Sequence, residues 1–286
     1  MDHASRFDRA NDSIAVDEDI HSRPHAAVAT CGIAVMAKAS APGRAKTRLV
    51  PPLTLDEAAA LNTAFLQDVA DNVLLAAGQA VPGAGIAGYA AYGPPGTEDF
   101  FRRTLPAAIG LIDAWLPNFG DCLLHTIREI FARGHAAAVV LNSDSPTLPT
   151  ALLIETADVL ARPGDRAVLG PSSDGGYYLL GLKAAHRRLF EDIAWSTARV
   201  AEQTLERARE IDLEVHRLAV WYDVDDVDSL RRLHAELCRP DASRRRLDGH
   251  QPHHASHTAE LLNSLWRDHD FSRRVEGLMQ IEELRA

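Results

Sequence analysis

The chain has 286 residues, 46% of them hydrophobic and 24% charged, with a formal net charge of -10. That size and balance predict a soluble globular protein with a substantial core, in one large domain or two small ones. The acidic excess excludes broad electrostatic binding to nucleic acid or to an anionic membrane, since both need a basic face.

Residues 1–26 mix Asp, Arg, Ser and His without hydrophobic period and read as a disordered tail. VATCGIAVMA, from Val28, is the pattern of a strand buried on both faces; it is too short to span a bilayer, and acidic residues precede it where a signal peptide would be basic. The basic loop KASAPGRAKTRLVPP follows, carrying Lys38, Arg44, Lys46 and Arg48 around a turn at Pro42 and Gly43. Thr54 and Glu57 then form a capping box opening a long helix that Gly78 stops.

Further on, IAGYAAYG reads as a strand, TEDFFRRTL as a short helix, LLHTIREIFARG as a helix closed by Gly134, and AAAVVLN as a second buried strand. A helix is expected from Pro149 to Ala161, with Thr147 placed to cap it, then strand AVLG, loop PSSDGG and strand YYLLGL. Ser196 is expected to open a helix reaching Glu210, LEVHRLAV to form a strand, and DVDSLRRLHAELC a helix with Asp225 and Asp228 as cap and third-position acid. Alternation of strands and helices predicts a three-layer αβα sandwich around a mostly parallel sheet, over residues 27–238.

Residues 239–257 read as a polar linker, and 258–286 as a helical extension. Leu261, Leu262, Leu265, Trp266, Leu278, Met279 and Ile281 would give that extension an apolar surface that docks on its own core or pairs two subunits as a homodimer. His250, His253, His254 and His257 could hold a transition metal, though their polar, Pro-containing setting favours a linker. Cys31, Cys122 and Cys238 are too widely spaced for a disulfide framework or a cysteine zinc site, and fit a reducing cytoplasm.

Ligands of open α/β sheets bind beyond the carboxyl ends of the strands, so the loops following strands carry the chemistry. Lys46 and Arg48 suit phosphate oxygens, Arg as a fork and Lys as a point charge. Asp144, directly after AAAVVL, suits a hard cation such as magnesium. Gly175 and Gly176 permit a tight turn close to a ligand, and Asp174 could hold a ligand hydroxyl, although Asp-Gly is also an ordinary hairpin signal. Asp223, Asp225, Asp226 and Asp228 lie within six residues. A helix start absorbs about two such charges and leaves Asp223 as a second cation ligand.

In this order, APGRAKTRL, SDSPTLP, VLGPSSDGGYYLLGL, AWSTARVAEQTLERA and YDVDDVDSL resemble a bacterial family of glycosyltransferase-A-like transferases found with radical-SAM, selenodomain or arsenosugar gene sets. The resemblance implies the fold of nucleotide-sugar transferases and nucleotidyltransferases, with a Mg2+ or Mn2+ ion bridging substrate phosphates. It places Asp144 as the central metal aspartate and Asp223 and Asp225 as the closing acidic motif. Asp174 to Gly176 become the base- or acceptor-side loop, and Lys46 and Arg48 resemble the phosphate loop of phospholactate guanylyltransferases. The chain departs from the pattern at Asn142, where Gly is commoner, and at GDCLLH, residues 120–125.

The implied activity is transfer from a nucleotide sugar to a small-molecule acceptor. Nucleotidyl transfer from a nucleoside triphosphate, releasing pyrophosphate, is the alternative, and a non-catalytic nucleotide-binding protein the third reading.

Overall fold

The structure is a computed structural model that describes residues 31–80, 85–238 and 249–283, without the side chains of 278–283. The expected N-terminal tail, linker residues 239–248 and the side chains of Leu278, Met279 and Ile281 therefore lie outside the described residues.

Among the described residues seven strands form one sheet: β1 (Cys31–Lys38), β2 (Ile86–Gly93), β3 (Gly110–Asp113), β4 (Ala137–Leu141), β5 (Ala167–Pro171), β6 (Tyr177–Leu182) and β7 (Val215–Arg217). Their order is β3-β2-β1-β4-β6-β5-β7, and every pairing is parallel except those made by β6. The exception has a local cause. Only residues 172–176 separate β5 from β6, too few for a crossover, so the chain must return as a hairpin. The sheet is thus mixed and mostly parallel.

Helices cover both faces. On one side α1 (Leu55–Gln79) and α4 (Thr150–Ala161) pack against the central strands β1 and β4, and α6 (Val227–Cys238) joins the same core, with Ile33, Val35, Val139 and Leu141, through Leu230 and Leu233. On the other, α3 (Phe119–Ala132) and α5 (Val200–Glu210) meet Ala34, Ala138, Val140 and Leu180. Alternate residues of β1 and β4 thus serve opposite cores, which is why both strands read as continuous apolar runs. The short helix α2 (Glu98–Thr104) packs against β2. No helix among the described residues is long and apolar enough to cross a membrane.

Several expected boundaries move. The capping box forms as expected: the Glu57 amide donates to Thr54 Oγ1 at 3.2 Å, and the Thr54 amide donates to Glu57 Oε2 at 2.7 Å. α4 begins at Thr150 without a side-chain cap, while the Thr147 hydroxyl bonds Tyr222 instead. The cap of α6 is Asp226, whose Oδ1 accepts the Ser229 amide at 2.8 Å; the sequence expectation had Asp225 there. α3 starts at Phe119, and the strand expected over LEVHRLAV shrinks to three residues. β3 is an edge strand that no sequence pattern predicts. Ser196 adopts a left-handed φ of 63°, so α5 begins at Val200.

The C-terminal helices α7 (Ser256–Arg267) and α8 (His269–Glu283) dock on their own chain, with Leu262 and Phe271 fully buried. Their described apolar face packs on their own chain, the first of the two arrangements expected for it. Of the expected linker, residues 249–255 are seated on the core: the His253 amide donates to the Thr147 carbonyl at 3.0 Å, and Ala255 is buried. His253 itself is half-buried, and burial holds its imidazole down at about 4, mostly neutral.

Asp68, buried in α1, accepts the amides of His257 at 3.0 Å and Thr258 at 2.8 Å and so caps α7 from another helix. Arg274 of α8 clamps Glu57 through two nitrogens and donates to the Pro52 carbonyl at 2.6 Å, tying the helical pair to the end of the basic loop. Removing two capped amides' acceptor should cost about 2 kcal/mol. Asp68→Ala should therefore lower the melting temperature by roughly 4 to 8 °C. Calorimetry checks this; an unchanged midpoint would show that α7 does not depend on its cap.

Candidate active site

β1 is flanked by β2 on one side and β4 on the other, so the loops leaving β1 and β4 diverge at a topological switch point. Lys46 and Asp144 stand on those two loops, and the Lys46 ammonium lies 2.8 Å from Asp144 Oδ1. Because β6 runs antiparallel, the turn 172–176 sits at the same edge of the sheet. So does the segment after β7, joined to the turn by a Ser172–Trp221 bridge and to the Asp144 loop by the Val224 amide, which donates to the Asp144 carbonyl at 2.9 Å.

Four loops thus converge at the sheet's carboxyl edge. A cavity of about 390 Å3 is lined by Asp144, Asp174, Gly176, Asp223, Asp225 and Arg48 at its polar end. Met36, Phe119, Leu123, Trp195 and Val200 form its apolar end. A second hollow of about 300 Å3 adjoins it, lined by Lys38, Arg44, Lys46, Arg48, Asp144 and Asp225. The four cations singled out in the sequence therefore surround one space.

Lys46 is the buried member of this set. It adopts a left-handed φ of 50° ahead of the short turn Thr47–Leu49, and its side chain is 5% exposed. The ammonium donates to the Val224 carbonyl at 2.6 Å, contacts Asp225 Oδ1 at 3.2 Å and lies 5.0 Å from the Phe65 ring centre. Arg48 is mostly exposed and reaches Asp225 Oδ2 at 3.5 Å. Asn62 of α1, buried, donates to the Lys38 carbonyl and to Ser40 and so fixes the start of the loop.

Asp223 accepts a hydrogen bond from Ser172 at 3.0 Å. Burial, and then the neighbouring Asp174 and Asp225 carboxylates, push its carboxyl above the ordinary range against the Ser172 hydroxyl. That excess of negative charge is what an incoming cation would relieve, which fits a divalent ion. Among the described residues no group of three His, Cys, Asp or Glu side chains is gathered as a complete metal site, so an ion here would need ligand oxygens from its substrate.

Gly175 and Gly176 separate into two roles. Gly176 lines the cavity, and its amide donates to Asp174 Oδ1 at 2.8 Å. Gly175, at φ 91°, lies so close to Ala198 that an added Cβ would stand 2.1 Å from its carbonyl oxygen. Pro42 and Gly43 make the exposed turn of the basic loop and line none of the three cavities near the acidic cluster.

The aromatic end was not anticipated as a site. Phe119 and Trp195 meet edge to face at 5.3 Å, and Ser196, Thr197 and Ala198 continue that wall instead of starting a helix. The available signal was a tryptophan followed by small polar residues, placed after a charged segment.

Residues 78–197 match a family described as an uncharacterized protein conserved in bacteria (DUF2064), a match covering less than half of the chain. Proteins of curated function give no match. Among solved structures, a protein of Desulfovibrio desulfuricans G20 assigned as a nucleotide-diphospho-sugar transferase is similar, with 26% identity and a TM-score of 0.69, over 86% of this chain and 98% of that one. A cytidylyltransferase from Leptospira borgpetersenii is 10% identical, with a TM-score of 0.45, over 85% and 96% of the two chains. Rv0371c from Mycobacterium tuberculosis, in complex with manganese, is 18% identical, with a TM-score of 0.40, over 71% and 96%. The chain has the mixed α/β fold of nucleotide-diphospho-sugar transferases.

Proposed function

We propose that the chain is a divalent-cation-dependent transferase that uses a nucleotide-activated substrate, with a nucleotide sugar as donor and a small molecule as acceptor. The observation that carries this reading is the meeting of Lys46 and Asp144 across the β1–β4 switch point, beside a hollow lined by four cations. The likeness to the Desulfovibrio protein supports it.

In this reading Arg44, Arg48 and Lys38 hold the diphosphate in fixed positive potential, and carboxylates among Asp144, Asp223 and Asp225 would hold Mg2+ or Mn2+. The ion, when bound, neutralises charge developing on the departing phosphate. The acceptor enters the apolar end, against Trp195 and Phe119, and Asp174 accepts the hydrogen bond and then the proton of its attacking hydroxyl. The acceptor oxygen attacks the sugar carbon directly, the carbon–oxygen bond to phosphate breaks, and a nucleoside diphosphate leaves.

The second reading, nucleotidyl transfer, is favoured by the same four cations, which also suit a triphosphate. The test is to incubate the protein with Mn2+ and panels of nucleotide sugars and nucleoside triphosphates. A nucleoside diphosphate supports the first reading and pyrophosphate the second. Absence of both products, and of nucleotide binding, would overturn each.

Arg48→Ala should weaken binding of a nucleoside diphosphate by about fivefold, roughly 1 kcal/mol for an exposed contact, and leave nucleoside binding unchanged. Titration calorimetry with both ligands checks it.

A further inference from the structure

An ammonium has three N–H donors. Lys46 has three oxygen partners, Val224 O at 2.6 Å, Asp144 Oδ1 at 2.8 Å and Asp225 Oδ1 at 3.2 Å. The contacts to Val224 O and Asp225 Oδ1 are hydrogen bonds and the contact to Asp144 Oδ1 is an ion pair, so the ammonium, on a side chain 5% exposed, is held among protein oxygens. The same ammonium also stands between two carboxylates proposed as cation ligands, where a divalent ion would have to sit to touch both.

We propose that Lys46 is a resident placeholder cation: its ammonium occupies the divalent-ion position between Asp144 and Asp225, and an entering ion must displace it. This rests on the transferase reading only for the identity of the ion's companion ligand. The exchange requires little rearrangement of the carboxylates. Mg2+ binds oxygen at about 2.1 Å. Each oxygen would thus move inward by about an ångström from its present hydrogen-bonding distance to nitrogen. The Val224–Asp144 backbone hydrogen bond of 2.9 Å keeps the two loops in register meanwhile. A displaced ammonium remains tethered beside the hollow lined by Lys38, Arg44 and Arg48, where phosphate oxygens offer it new partners.

Two consequences follow from competition between a tethered and a free cation. Without nucleotide, the ion competes with an ammonium held at high effective concentration, so its affinity is low. With a diphosphate present, the released lysine is compensated, so ion and nucleotide strengthen each other's binding by the same factor. A lysine serving only to neutralise the loops would stay in place and show no such coupling.

The experiment is Mn2+ titration by electron paramagnetic resonance without nucleotide, on the full chain. Lys46→Met should bind Mn2+ at least tenfold more tightly than the wild type. Lys46→Arg, which keeps a cation, should show no gain, and the double variant Lys46→Met/Asp225→Asn should lose it. No gain in Lys46→Met, or a gain that survives the Asp225 change, overturns the proposal.

A second measurement needs no substitution that could disturb folding. The chain contains only three lysines, Lys38, Lys46 and Lys183, so the side-chain ammonium and Cε resonances of isotopically labelled lysine can be resolved. Mg2+ should move the Lys46 signal along its binding curve and leave Lys183 unmoved; saturation by Mg2+ with Lys46 unmoved also overturns the proposal. A chain that passes both tests yet forms no product from any nucleotide overturns the transferase reading and leaves the displacement intact.

Discussion

Asp223→Asn is expected to lower turnover by roughly 100- to 1,000-fold, about 2.7 to 4 kcal/mol of lost transition-state stabilisation. The melting temperature should hold or rise slightly. The carboxylate is half-buried beside Asp174 and Asp225, and neutralising it relieves repulsion in a protein without bound cation. Opposite signs for activity and stability distinguish a ligand from a structural group, because a group retained for folding would lose both together. Asp144→Asn should reduce turnover similarly but without the gain in stability, since Asp144 is paired with Lys46. Product formation and thermal melting on both variants check this, and near-normal turnover in both would remove the aspartate cation site.

The second large effect is expected at Gly175. Its φ of 91° is costly for any side-chain-bearing residue, and a Cβ would meet the Ala198 carbonyl oxygen at 2.1 Å, a contact that backbone must yield to accommodate. Gly175→Ala should therefore cost about 2 to 4 kcal/mol. It should also part the 172–176 turn from the Trp195–Ala198 wall. Gly43→Ala is the control: its φ is 75°, but the added atom would meet only Leu55, at 4.0 Å. That variant should lose about 1 kcal/mol. Urea denaturation of both separates strain from collision; equal midpoints would show that the Ala198 contact is not limiting.

Much of the scaffold was legible because its signals are local. β1 and β4 are apolar runs because each serves two cores, and the Thr54–Glu57 box is reciprocal within three residues. The Asp-Gly turn proved to be a hairpin and, through the antiparallel direction of β6, also a wall of the cavity; the two readings of that stretch were never exclusive. β3 was invisible because it is four residues at a sheet edge with one buried side chain, Ile112. Among four clustered acids, sequence could not say that Asp226 rather than Asp225 meets the Ser229 amide, since a one-residue shift leaves the pattern unchanged. The enclosure of Lys46 by carboxylates was equally hidden. Its partners lie about 100 and 180 residues away, and composition shows a basic loop whether its lysine faces solvent, phosphate or carboxylate.

The docking of α7 and α8 bears on how the chain reaches this state. Asp68 caps residues 189 and 190 positions further on, and Glu57 holds a partner 217 positions away. Contacts so distant in sequence add loop-closure entropy and slow folding, whereas the β5–β6 hairpin closes across five residues. The helical cover should therefore assemble last, after the sheet has formed. Until it does, α1 lacks part of its packing, and the Pro52 end of the basic loop lacks its Arg274 anchor. The late intermediate would then possess a nearly complete sheet with an unanchored basic loop, so recovery of ligand binding after dilution from denaturant should lag behind recovery of secondary structure.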